Sequence, residues 1–213
     1  MRKKVLVVFI PILSFFALGI LLLLWMFPSE VITGHIRSWV FSSTPIDLTT
    51  SQELLIEEGF SVPLENPRLI VSKSAREMKL FDGEELIRVY RIGLGSNPLG
   101  PKKAEGDGKT PEGEYFLCTR LNPSRYHLFL GISYPSMKDA ELQDDLEEAL
   151  LEQIRESEIN RNTPPWNTPL GGAVGIHGGG SSDWTAGCIA LDNREMREVF
   201  LLTKHGTPIT ITP

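Results

Sequence analysis

The chain has 213 residues, with 27 acids against 21 Lys and Arg and a formal net charge of −6. That balance, with no basic stripe and no phosphate-binding glycine loop, excludes a nucleic-acid binder of the usual basic kind. Two cysteines and four scattered histidines exclude a disulfide framework and offer no paired zinc-ligand spacing.

Met1-Arg2-Lys3-Lys4 is basic, and Val5 to Phe27 then runs apolar without a charge, with Pro11 and Ser14 inside it. The run meets the roughly 20 residues that a membrane-spanning helix needs. Positive charge ahead of it places the N-terminus in the cytoplasm. Residues 1–28 therefore read as the cytoplasmic N-terminus and transmembrane anchor of a single-pass inner-membrane protein. Everything after Pro28 is then extracytoplasmic, in the periplasm. The alternative is a cleaved signal peptide, but Leu24-Trp25-Met26-Phe27-Pro28 offers no small-x-small cleavage site.

Residues 29–66 carry little pattern and read as an extracytoplasmic tether. Ser42-Ser43-Thr44-Pro45 and Thr49-Thr50-Ser51 punctuate it as loop. Gln52 to Gly59 reads as a short helix with Ser51 as N-cap and Gly59 as stop. The alternative is a small element packed onto the next domain, with Trp39, Phe41 and Phe60 supplying the contact.

Residues 67–213 read as one mainly β domain of ordinary size. Strands are expected over Arg68 to Ser74, Arg76 to Phe81 and Glu85 to Leu94, with Asp82-Gly83 as a hairpin turn. Asn97 to Thr110 is a loop rich in Gly, Pro and Lys. Its lysines, Lys102, Lys103 and Lys109, read as solvated or as attracting acidic groups near a site. Gly113 to Leu121 and Tyr126 to Ser133 are further strands. Cys118 sits mid-strand as a core residue, and His127 as an ordinary strand residue. Met137 to Asn160 has no Gly or Pro and carries Leu142, Leu146, Leu150 and Ile154 every four residues, which predicts one long helix. Nine acids against two bases make it acidic. That charge is either a solvated outer face or a flap that disfavours anionic partners. Thr163 to Pro169 is a stiff loop whose Trp166 is either a packed indole or a wall for substrate. A late helix over Arg194 to Lys204, capped by Asp192 or Asn193 and stopped by Gly206, precedes a last strand, Pro208 to Thr212. His205 stands at that helix's C-terminal end, where it suits the dipole.

The stretch from Ile176 to Leu191 holds His177 and Cys188 among glycines and short polar residues. Apolar flanks, Ala173-Val174 and Ile176 before and Ile189 and Leu191 after, read as two short strands leading in and out. A cysteine attacks best as thiolate, and an imidazole nearby can take its proton. Gly187 frees the backbone to aim N–H groups at a developing oxyanion. Gly178 leaves room for a backbone carbonyl to hold the second ring nitrogen of His177. A lone cysteine is more commonly a small buried hydrophobe. Trp184, in an exposed loop, is a candidate for lining a cleft.

His177-Gly178 followed by Thr185-Ala186-Gly187-Cys188-Ile189 resembles the active-site signature of the L,D-transpeptidase catalytic domain family, the YkuD-like proteins. A second block, Gly93-Leu94-Gly95 and then Gly106-Asp107-Gly108-Lys109-Thr110-Pro111-Glu112-Gly113-Glu114-Tyr115, is similar to another segment of that family. Three departures stand out: Ala186 stands where many members carry a second histidine, Ala190 where many carry Arg or Asn, and the loop from His177 to Cys188 is shorter than in many members. The resemblance implies a mainly β, YkuD-like sandwich or open barrel, with an inserted acidic helix and a late helix, after one transmembrane helix. It implies action on peptidoglycan stem peptides through a thioester on Cys188, with His177 as general base and acid. Gly178 would orient the imidazole, Gly187 N–H would serve the oxyanion hole, and Trp184, Thr185 and Ser182 would contact substrate. The acceptor would be a second stem peptide, giving a 3→3 cross-link, or a wall-attached lipoprotein. No metal or organic cofactor is implied, and both thiols are expected free. The alternatives are a hydrolase using the same Cys/His site and a non-catalytic wall-binding module.

Overall fold

A computed structural model describes residues 44–143 and 145–213. The anchor expected over 1–28 and most of the tether lie outside the described residues. No helix among the described residues is long and apolar enough to cross a membrane.

Pro45 to Pro213 forms one compact unit. Its first element is α1, Thr49–Glu57. The helix starts ahead of Ser51, at Leu48, and Asp47 Oδ1 takes the Thr49 N–H at 2.9 Å. Leu55 and Leu64 are buried in the main core, and Ile46, Leu48, Phe60 and Val62 pack against it. Residues 45–66 therefore follow the second expectation, an element packed on the domain. The tether expected to reach residue 66 is shortened to that extent, because these apolar side chains bury more surface against the sheet than a free linker would.

Eight strands make one sheet in the order β3-β2-β1-β8-β4-β5-β6-β7. They are β1 Pro67–Ser72, β2 Glu77–Asp82, β3 Glu85–Arg91, β4 Gly113–Ser124, β5 His127–Ile132, β6 Gly175–His177, β7 Ile189–Ala190 and β8 Pro208–Thr212. The pairs β1–β8 and β6–β7 are parallel, and the others antiparallel. The period of two is plain in β1, where alternate residues are buried, so Leu69 and Val71 join Leu80, Ile209 and Ile211 in the core. Each such side chain contributes about 2 kcal/mol relative to exposure. Register shifts in the β4–β5 pair curl the sheet, as bulges do. Beyond β3 the chain meets β7: Gly93 and Ala190 exchange two backbone hydrogen bonds of 2.9 Å. The architecture is mainly β, a curled open sheet with few helices, as expected.

The single helix expected over 137–160 is two. Helix α2, Met137–Ala140, starts in a capping box in which Ser136 and Asp139 bond each other's backbone. Asp139 points inward and accepts from Tyr115 Oη at 2.9 Å. Asp145 at φ 66° ends any continuous helix, and α3 runs only over Glu148–Ile159. The Tyr115–Asp139 bond fixes α2 to β4, and the chain turns through Asp145 before α3. Leu142 is exposed, while Leu146 and Leu150 pack with buried Ile154, Ala140 and Leu170 in a small second core. Helix α4, Asn193–Leu202, buries Met196, Val199, Phe200 and Leu202 against the main core.

Candidate active site

Strand alternation sets the site. In β6, Ile176 faces the core, so Gly175 and His177 face the other way. The parallel register aligns Ile176 with Ile189 and His177 with Ala190. Cys188, immediately before β7, thus stands level with Gly175, two residues along the strand from His177.

His177 is 2 % exposed. Its Nδ1 lies 2.6 Å from the Gly178 carbonyl oxygen, so Nδ1 carries the proton and Nε2 is the basic atom. Gly178 must be glycine: a Cβ there would lie 2.3 Å from Asn193 Oδ1 and 3.0 Å from Tyr126 O. Tyr126 stacks on the imidazole at 4.7 Å between centroids, and Trp184 meets it edge-on at 5.4 Å. Burial lowers the His177 pKa, against the opposing pull of the Gly178 hydrogen bond. The ring is therefore neutral at pH 7.

Cys188 is half-buried and both cysteines are free thiols. Its Sγ contacts Ala173 O at 3.7 Å, and no hydrogen bond joins it to His177 among the described residues. Burial raises its pKa, while the Gly175 N–H and the charge of Lys102 oppose that rise. At rest Cys188 is a thiol and His177 a neutral imidazole.

The loop between them is fastened at several points. Asp183 takes a two-nitrogen grip from Arg76, at 3.0 and 2.7 Å, and the Leu94 N–H at 2.9 Å. Thr185 is 4 % exposed. Its hydroxyl accepts from Gly187 N at 3.1 Å and donates to Cys188 O at 2.7 Å. Two expectations change here. Thr185 faces the loop's own backbone rather than a substrate, because its hydroxyl is used in holding the turn. The Gly187 N–H, expected to face an oxyanion, is already engaged, while the Cys188 N–H bonds no described residue. Gly187 has a geometric reason of its own: at φ 143°, a Cβ would lie 2.6 Å from Lys109 O.

That contact explains the second motif block. Asp107 accepts from Lys103 N, Ala104 N, Lys109 N and Lys102 Nζ, at 2.8 to 3.1 Å. Burial works to raise its pKa, but these donors hold it at about 2. Thr110, fully buried, takes the Gly95 N–H at 3.1 Å. The Gly-Asp-Gly loop is thereby pressed against the nucleophile loop. Lys73 fixes its far end through Gly100 O, Thr110 O and Glu112.

Trp184 is 39 % exposed beside the imidazole, a position that suits a cleft wall. Ser182 is exposed at its side chain, while its backbone oxygen closes against Gly93, 1.9 Å from where a Cβ would stand. Trp166 is a packed indole, edge-on to Phe129 at 6.3 Å and tight against Gly172. Cys118 is core. His127 accepts from Arg197 Nε at 3.0 Å, a structural role. Sequence patterning missed Tyr126, whose place over His177 comes from the β4–β5 turn, and it missed the burial of Lys102. No group of three or more potential metal ligands occurs among the described residues.

A mainly β domain that brings one histidine and one cysteine to neighbouring parallel strands, behind a glycine-rich loop, defines a class arranged around a single Cys–His site. The chain belongs to the YkuD family: the L,D-transpeptidase catalytic domain matches residues 66–211. YafK of Escherichia coli strain K12, named as a candidate L,D-transpeptidase, is 32 % identical over 104 residues, 46 % of this chain and 39 % of that protein. The chain thus spans well under half the length of the curated relatives it matches. Bd1075 of Bdellovibrio bacteriovorus is similar at 22 % identity over 73 % of this chain and 49 % of that one, with a TM-score of 0.46. The helical cell shape determining protein Pgp2 of Campylobacter jejuni gives 23 %, 71 %, 51 % and 0.47. L,D-transpeptidase 1 of Mycobacterium tuberculosis gives 15 %, 69 %, 61 % and 0.41.

Proposed function

We propose that the protein is a peptidoglycan L,D-transpeptidase working through a Cys188 thioester. The observation that carries this reading is the commitment of His177 Nδ1 to Gly178 O at 2.6 Å, which leaves Nε2 as the base one strand from Cys188. His177 takes the thiol proton as Sγ attacks the carbonyl of the third stem residue. The Cys188 N–H faces the developing oxyanion. The terminal D-alanine leaves as an amine, with the proton returned by His177, and a thioester remains. An acceptor amine then gives up a proton to His177 and displaces the thiolate. That amine belongs to a second stem peptide or to the lysine of a wall-attached lipoprotein. Trp184 and Tyr126 form the aromatic wall along which the donor lies.

Hydrolysis of the same acyl-enzyme is the second reading. It is favoured by Ala190, buried and bridged to Gly93, which leaves no basic side chain after the cysteine to steer an acceptor. Incubation of the full chain with disaccharide tetrapeptide separates the two by mass. Cross-linked dimer supports transfer, and monomer shortened by one residue supports hydrolysis. Cys188→Ala and His177→Ala are expected to keep the fold and lose both products. Imipenem is expected to add its mass to the wild type and not to Cys188→Ala. Label that persists in Cys188→Ala refutes the nucleophile. The anchor over residues 1–28 and the periplasmic placement of the domain belong to the same proposal. An alkaline phosphatase fusion after Pro213 tests them and is expected to be active.

A further inference from the structure

Lys102 is 3 % exposed, rare for a lysine unless it is paired. Its Nζ donates to Asp107 Oδ1 and to Ala104 O, both at 2.9 Å. An ammonium has three protons, and the third has no partner among the described residues. The loop carboxylate does not need this lysine for satisfaction, since three backbone N–H groups already bond Asp107. An apolar stem would fill the same space without the cost of desolvating a charge. What the stem touches gives the charge a purpose. Its Cδ lies 3.9 Å from where a Cβ on Gly187 would stand, and its Cε 3.1 Å from the corresponding point on Gly171. The stem thus passes close to Gly187, and the ammonium beyond it, fixed by Asp107 and Ala104, acts on Cys188 by its charge.

We propose that Lys102 is a positioning residue of the Cys188 site. Its buried ammonium favours negative charge on the sulfur and on the oxyanion beside it, and its stem braces Gly187. The inference rests on the reading of Cys188 as nucleophile. The other charged or titratable groups around this corner are His177, held neutral, Asp107 in its ion pair, the exposed Glu105 beside Gly171, and Lys109, whose backbone oxygen meets Gly187. The other buried cation of this loop, Lys73, lies at its far end in an ion pair with Glu112.

The test is the pH profile of iodoacetamide alkylation at Cys188 in the full chain, resolved by peptide mass spectrometry, with buried Cys118 as internal reference. Lys102→Met and Lys102→Gln remove the charge. The glutamine keeps an N–H for Asp107, so a folded neutral variant is available. Both are expected to move the Cys188 midpoint up by at least half a pH unit, a fall of about threefold in rate at pH 7. Lys102→Arg is expected to restore the rate to within about twofold of wild type. A merely structural lysine would alter melting temperature and Cys118 labelling and leave the Cys188 midpoint in place. A midpoint unmoved in both neutral variants overturns the proposal, as does an arginine variant that behaves like methionine. Turnover that survives complete alkylation of Cys188 instead refutes the nucleophile reading, independently of any effect of Lys102 on the midpoint.

Discussion

Asp107→Asn isolates the anchor of the loop that supports the nucleophile. The carboxylate is 17 % exposed and accepts four hydrogen bonds, one of them from an ammonium. Its pKa is depressed from 3.8 to about 2 in the folded chain. At about 1.4 kcal/mol per unit, that depression corresponds to roughly 2 kcal/mol of stability at pH 7. Because the folded value lies below the unfolded one, the contribution is fully present above pH 3.8 and lost as pH falls through about 2. Roughly half of it is gone by pH 3. Urea denaturation of wild type and variant between pH 7 and pH 3 reads the difference directly. The variant should lose roughly 2 kcal/mol at pH 7, or about 4–8 °C in melting temperature, and the gap should narrow with acid. A gap that stays constant across this range refutes the assignment to an ionised carboxylate. A loss below about 0.5 kcal/mol at pH 7, the level of ordinary surface substitutions, refutes the anchoring role itself.

Three further outcomes are expected. Thr185→Val strands the Gly187 N–H and the Cys188 carbonyl in a buried turn, so it should cost about 1–3 kcal/mol in urea denaturation and depress turnover. Wild-type stability and turnover would refute the role of that hydroxyl. Gly187→Ala forces a Cβ to within 2.6 Å of Lys109 O at φ 143°; circular dichroism melts should show a loss of roughly 1–3 kcal/mol. Since burial holds the His177 pKa below 6.5 and the base must be neutral, the acid limb of kcat/KM should lie below pH 6.5. A limb at or above that value refutes a desolvated, neutral imidazole as the base.

Much of the architecture was legible because strands announce themselves by period two. β1, β2, β3, β4, β5 and β8 lie where alternation placed them, and the hairpin turn at Asp82-Gly83 joins β2 to β3. The long acidic helix was not, because helix propensity is a local property and Asp139 answers to Tyr115, 24 residues away. The packing of residues 45–66 was undecided for the same reason: Leu55 and Leu64 have no local partner, and their burial depends on a sheet and a late helix that follow in the chain.

The sequence by itself determined the chemistry available: one histidine and one cysteine flanked by glycines, on strands short enough to end at a common edge. It left room, with a glycine after His177, for a backbone carbonyl at the second ring nitrogen, and the structure supplies that carbonyl from Gly178. Only the tertiary structure decided what surrounds the sulfur. It engaged the Gly187 N–H in the Thr185 turn, laid Tyr126 over the imidazole and fixed the buried ammonium of Lys102 on Asp107 and Ala104. These contacts join segments far apart in the chain, and the strength of a charge or a hydrogen bond depends on the water excluded when they meet.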